Sequence, residues 1–239
     1  MQTYRCTCNN RLFFENTICL SCQKEVGWCE ACNRMTGLEP NAEATVPGSY
    51  FCGNADCRQP LRKCHNYAVE NICNRCYVPE AIVTNPIDGT IDANGAFNPL
   101  CTACQLTETI PDLSIDGNRE KWARLEAAKR RLLYTLDLLG LPYSTADSKL
   151  TFDFKADVEH PGDEWRSAGP IEIVYTGHAA GKITINLREA DDAVRESLRV
   201  QFHEAQRTLI GHFHHEVGHY YWDVLVQNRR EREFRKLFG

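Results

Sequence analysis

The chain has 239 residues, of which 43% are hydrophobic and 25% charged, with a formal net charge of −5. That is enough apolar material for one or two folded domains, and no run of 18 apolar residues is present, so a membrane span is not expected. Met1-Gln2-Thr3-Tyr4-Arg5 leads straight into Cys6 with no apolar leader, and thirteen cysteines without one read as metal ligands in a reducing, cytoplasmic setting, not as disulfides.

All thirteen cysteines precede residue 105, and seven of the eight histidines follow residue 150. This division places a cysteine-rich region at residues 1–108 and a second domain at 109–239, with Thr109-Ile110-Pro111-Asp112-Leu113 as the linker. Within the first region, Cys6-x-Cys8 with Cys19-x-x-Cys22 makes one quartet, and Cys29-x-x-Cys32 with Cys52 and Cys57 makes a second. A third draws on Cys64, Cys73, Cys76, Cys101 and Cys104, one thiol more than a tetrahedral site needs. By spacing alone, Cys73-x-x-Cys76 with Cys101-x-x-Cys104 is the best pattern; Cys64, Cys73, Cys101 and Cys104 is the alternative. The quartets predict three zinc-ribbon modules, about 1–26, 27–60 and 61–108, each held by a structural Zn²⁺ because so short a segment cannot bury a useful core.

Residues 1–110 carry eight Lys and Arg against eleven Asp and Glu, a balance of −3. Each four-thiolate zinc site adds −2, so three sites bring the region to about −9. A phosphate-binding surface is basic, and Arg58, Arg62 and Lys63 form the one small positive cluster. The balance therefore argues against nucleic acid and for a protein partner at the ribbons.

In the second half, Trp122, Leu125, Leu132, Leu133, Leu136 and Leu139 recur at helical steps, predicting a helix over 118–139 that Gly140 and Pro142 end. Segments 150–155, 171–175 and 182–187 read as strands, the last two joined by a hairpin connection at 176–181. Asp191 and Asp192 suit a helix start, and a long helical stretch follows. It carries His215-Glu216-Val217-Gly218-His219, an H-E-x-x-H pattern. Residues four apart lie on one helical face, so both imidazoles can reach one ion, with Glu216 as general base for a zinc-activated water. Leu209, Phe213, Val217, Tyr220 and Val224 form an apolar stripe beside that polar face. Gly218 costs roughly 1 kcal/mol relative to Ala inside a helix, which predicts another backbone passing close to it. Tyr220 and Tyr221 are candidate oxyanion donors and His178 is a secondary candidate; His203, His212 and His214 read as ordinary histidines. Strand 182–187 could pair with substrate backbone.

These pieces resemble a family of bacterial zinc-binding metallopeptidases, in which an N-terminal zinc ribbon precedes a zincin-like domain. The residues that carry the resemblance are 12–17 (LFFENT), 109–114 (TIPDLS), 183–192 (ITINLREADD) and 211–223 (GHFHHEVGHYYWD). It implies an α+β fold, with tandem small-β ribbons followed by an incomplete zincin-like domain. It also implies peptide-bond hydrolysis on peptide or protein substrates. In the last ribbon it favours Cys64, Cys73, Cys101 and Cys104, with Cys76 as the spare thiol. A catalytic zinc wants three protein ligands and an open position. His215 and His219 supply two, and family members continue past the motif helix to an acidic third ligand, so this chain reads as C-terminally truncated. The metzincin continuation fails at Trp222 and Leu225. Glu231 and Glu233 read as solvent-facing, and Asp223 as an outer-sphere group. The competing reading is a multi-ribbon adaptor with a vestigial peptidase half.

Overall fold

A computed structural model describes residues 2–44, 46–79, 89–91, 97–146, 148–159, 171–201 and 208–239. The chain forms two compact units, Met1–Gln105 and Leu106–Gly239.

In the first unit, β1 (Tyr4–Arg5) and β2 (Arg11–Leu12) make a minimal antiparallel pair. Strands β3 (Val26–Cys29), β4 (Arg34–Pro40), β5 (Ser49–Cys52), β6 (Pro60–Lys63) and β7 (Arg75–Tyr77) then close a five-stranded barrel. The closing contact pairs β3 with β7 in parallel, Cys29 opposite Cys76. The short helix α1 (His65–Ala68) joins β6 to β7, and β8 (Gly89–Ile91) pairs with β9 (Phe97–Pro99). The expected second and third modules are therefore not separate. Strands from both segments share one barrel, because β3 leaves an open edge that β7 pairs. Its strands bury Val26, Trp28, Met35, Leu38, Leu61 and Tyr77.

The second unit is a four-stranded sheet in the order β10-β11-β15-β14, comprising β10 (Thr107–Thr109), β11 (Thr151–Lys155), β14 (Gly177–Ala179) and β15 (Lys182–Asn186). β10, β11 and β15 run parallel, and β14 turns back antiparallel against β15. Thr109, read as linker, is in fact in the sheet. Segment 171–175 is a strand only at β13 (Ile171–Glu172), which pairs with β12 (Val158–Glu159) outside the main sheet.

Helix α2 (Asn118–Leu138) and helix α4 (Leu209–Tyr221) pack together, and α3 (Asp192–Gln201) starts where Asp191 accepts hydrogen bonds from Ala193 and Val194 N–H. Phe213 of α4 meets Phe152 and Phe154 of β11 at ring distances of 5.9 and 6.2 Å. Beneath α2, Lys129 and Glu126 are fully buried as an ion pair at 2.8 Å, and Thr107 donates to Glu126 at 2.8 Å. Burial of this charge pair is tolerated because each partner is hydrogen-bonded as well as neutralised. A π-helical turn, Trp222–Val226, and α5 (Glu231–Phe238) follow α4.

Candidate metal centres

Three groups of four thiols converge: Cys6, Cys8, Cys19 and Cys22; Cys29, Cys32, Cys52 and Cys57; Cys64, Cys73, Cys101 and Cys104. The sulfurs stand 3.6 and 3.7 Å apart in the first, 3.9 Å in the second and 3.8 Å between Cys73 and Cys101. Zn–S bonds of about 2.3 Å at tetrahedral angles set an S–S edge of about 3.8 Å, so the donor sets fit zinc.

The turns that present these thiols have a local cause. Asn9, Gln23, Asn33 and Arg58, each directly after the second cysteine of a pair, take positive φ of 49–66°. That left-handed step turns the chain around the metal position and brings backbone N–H groups to the sulfurs. The N–H of Cys22 pulls the Cys19 thiol down to about 6, and the Cys29 thiol, donating to Cys52, pulls that one down to about 5. One sulfur in each of these quartets is thus already disposed to the thiolate form that a metal requires.

The third site is built differently. Cys64 follows β6 as the N-cap of α1, Cys73 precedes β7, and Cys101 and Cys104 form a single knuckle. Cys76 lies within β7, outside that group of four, and is buried against β3, where a Cβ on Gly27 would come within 2.8 Å of its sulfur. An x-x spacing predicts a knuckle only where the chain turns, and here it is extended. Glu30, next to Cys29, links the second and third clusters: it accepts from Thr102 N–H at 3.1 Å and from Thr102 Oγ1 at 2.6 Å. Burial pushes its carboxyl up even with Arg75 at 3.6 Å. Of the small basic cluster, Arg58 pairs with Glu39 and Lys63 with Glu25, each at 2.5 Å.

The motif helix α4 is capped by Thr208, which accepts from Gly211 N–H, and it buries Phe213, Val217 and Tyr220. The helix leaves His215 and His219 exposed, and Glu216 is half-buried. The two Nε2 atoms stand 3.2 Å apart with ring planes at 82°. Two imidazoles bound to one zinc at about 2.0–2.1 Å need about 3.3 Å, so the pair fits a shared ion. A Cβ added at Gly218 would meet nothing within 4 Å among the described residues, so the expected close backbone is not there. The glycine instead keeps that face of the helix bare beside the histidines.

No third Cys, His, Asp or Glu among the described residues joins the two imidazoles. Asp223, in the π turn, lies 3.9 Å from Nδ1 of His178. Glu231 accepts from Asn228 N–H and pairs with Arg235, and Glu233 lies exposed on α5. His212 sits 3.2 Å from Glu189, and His214 donates to the Ile210 carbonyl; His203 lies outside the described residues. Tyr220 is fully buried and Tyr221 donates to the Pro142 carbonyl, so neither is placed as an oxyanion donor. Strand β15 is flanked by β11 and β14, so it has no edge to offer a substrate; among the described residues the edge strands of this sheet are β10 and β14.

Four-thiol clusters in a ribbon unit, followed by a helix presenting two imidazoles and a carboxylate, define a zinc-binding protein of the ribbon-plus-peptidase class. Residues 3–115 match a zinc-ribbon domain family, and residues 118–239 match the family described as "Putative zinc-binding metallo-peptidase". The chain belongs to that zinc-binding metallopeptidase family. Uncharacterized proteins of Mycobacterium tuberculosis and Mycobacterium bovis are 34% identical to it over 242 residues, which covers all of this chain and 59% of theirs. The chain thus spans about three fifths of the length of these relatives. No solved structure gives a significant match. Among the described residues, no helix is long and apolar enough to cross a membrane.

Proposed function

We propose that this chain carries the zinc-binding part of a peptidase, in which His215 and His219 hold the ion and Glu216 is the base. The observation that carries the reading is the 3.2 Å approach of the two Nε2 atoms on an exposed helix face, with Glu216 next to His215 in the sequence. Zinc held there supplies Lewis acidity towards a peptide carbonyl and towards water. Glu216 takes the proton of the attacking water and delivers it to the departing amine. An extended peptide is the fitting substrate, because β14 is the sheet edge that packs beside α4 and can add a strand. The three thiol clusters are structural, since four sulfurs close a tetrahedral site and leave no position for substrate. Peptide hydrolysis by the zinc-loaded protein tests the base: Glu216→Gln should keep its zinc and lose at least 100-fold in kcat. Turnover undiminished in that variant contradicts the assignment.

A second reading, a ribbon adaptor, draws on Phe13 and Leu20, 56% and 80% exposed beside the first thiol cluster. Exposed apolar side chains on a ribbon suit a protein partner. Phe13→Ser with Leu20→Ser should abolish partner capture while leaving hydrolysis unchanged; loss of hydrolysis without loss of capture would go against it.

A further inference from the structure

His178 sits on β14, in a hairpin that the sequence marks as a polar connection, yet its side chain is only 7% exposed. The hairpin is a two-residue turn, Ala180-Gly181, with φ of +50° and +87°. Positive φ at both positions is the turn geometry that matches the twist of paired strands. It directs the Gly181 N–H onto His178 Nε2 at 3.0 Å. A Cβ at residue 181 would lie 2.5 Å from the Lys149 carbonyl oxygen, so only glycine can present that N–H. With Nε2 accepting, the proton of the neutral ring is on Nδ1, and Nδ1 is the atom facing Asp223 at 3.9 Å. The ring also lies parallel to that of His219, 9° between planes and 6.3 Å between centroids, and edge-on to Tyr220. Glu216 and His219 are the other titratable groups that it faces.

We propose that His178 is a positioning residue of the two-histidine site, its Nδ1–H steering the Asp223 carboxylate and its ring face bounding the place of His219. The proposal rests on the metal reading of His215 and His219. It makes the β14–β15 hairpin part of the site: the helix supplies the donors, and the hairpin fixes how far the second one can swing. Outer groups that orient ligands typically change metal affinity by 10–100-fold.

The test uses the whole chain with its thiol clusters loaded. Long-range ¹H–¹⁵N spectra of the unmodified protein should show His178 as the Nδ1–H tautomer; an Nε2–H tautomer overturns the proposal without any variant. Chelator competition should then show zinc at the motif site weakened about tenfold in His178→Ala and in Asp223→Asn, and no further in the double variant. His178→Asn, whose amide can still donate towards Asp223, should recover most of the affinity. Unchanged affinity in His178→Ala overturns the proposal alone, provided His215→Ala removes a zinc ion. If His215→Ala leaves the zinc content intact, the metal reading falls and the proposal with it.

Discussion

The two units solve the same problem, holding a metal ion, in opposite ways. In the ribbon unit each cluster keeps at least two of its four thiols buried, and in the third cluster all four are no more than 3% exposed. In the second unit, the fold stands on its own apolar core, and the two imidazoles project from it into solvent. Metal in the first unit would be part of the fold. Metal in the second would be carried by a unit that has its own apolar core. The difference teaches where chemistry can take place, because a closed site supports structure and an open one leaves room for a reactant.

The largest effect that can break this comparison is metal removal. A strong chelator should unfold residues 1–105 and leave the sheet and helices of 106–239 intact, since each structural zinc site contributes on the order of 10 kcal/mol. Residue-resolved hydrogen exchange reads this directly, and loss of protection across both units would contradict it. The core of the second unit gives the converse experiment. Phe213→Ala removes a ring that contacts both Phe152 and Phe154, and should cost about 3–5 kcal/mol in that unit with no change in ribbon zinc. Chemical denaturation followed by fluorescence and zinc content checks both halves.

Much of this contrast is legible in the sequence, and the exceptions have physical causes. Paired thiols a few residues apart specify a metal turn locally, so the first two quartets can be read from spacing. Helices α2 and α4 are equally legible, because Trp122, Leu125, Leu132 and Leu136, like Phe213 and Val217, repeat at the helical period. The barrel is not, because pairing between Cys29 and Cys76 is a long-range choice that no local period reports. Cys76 misleads for the same reason: its spacing from Cys73 is that of a knuckle, while its strand is extended. A signal was present in Gly27, a strand glycine marking a close approach, here by the Cys76 sulfur. The π turn and the part played by His178 depend on how a hairpin and a helix exit meet, which spacing within either segment does not encode.

That lesson yields a sharper test within the ribbon unit. Cys64→Ser should lose one zinc ion and Cys76→Ser none, as counted by native mass spectrometry. The reverse, a zinc ion lost in Cys76→Ser and none in Cys64→Ser, would restore the spacing-based choice. A smaller effect concerns Asp157 beyond β11, which is 12% exposed at its side chain. Burial pushes its carboxyl up, but the Val174 N–H, the Asn186 amide and Arg188 outweigh that and leave its pKa below the usual carboxylate value. A group depressed in the folded state adds stability above its unfolded pKa and loses it as pH falls through the folded one. Asp157→Ala should therefore destabilise the second unit by about 2 kcal/mol near neutrality, with the gap to the parent narrowing below about pH 4. A gap that is constant with pH would contradict the charge-based account.

The most direct test of the two-histidine centre is the zinc content of the whole chain beside that of a His215→Ala, His219→Ala variant. We predict three zinc ions held tightly by thiols in both proteins, and a fourth, more weakly held, in the parent alone. Identical zinc contents and affinities in the two proteins would contradict the account.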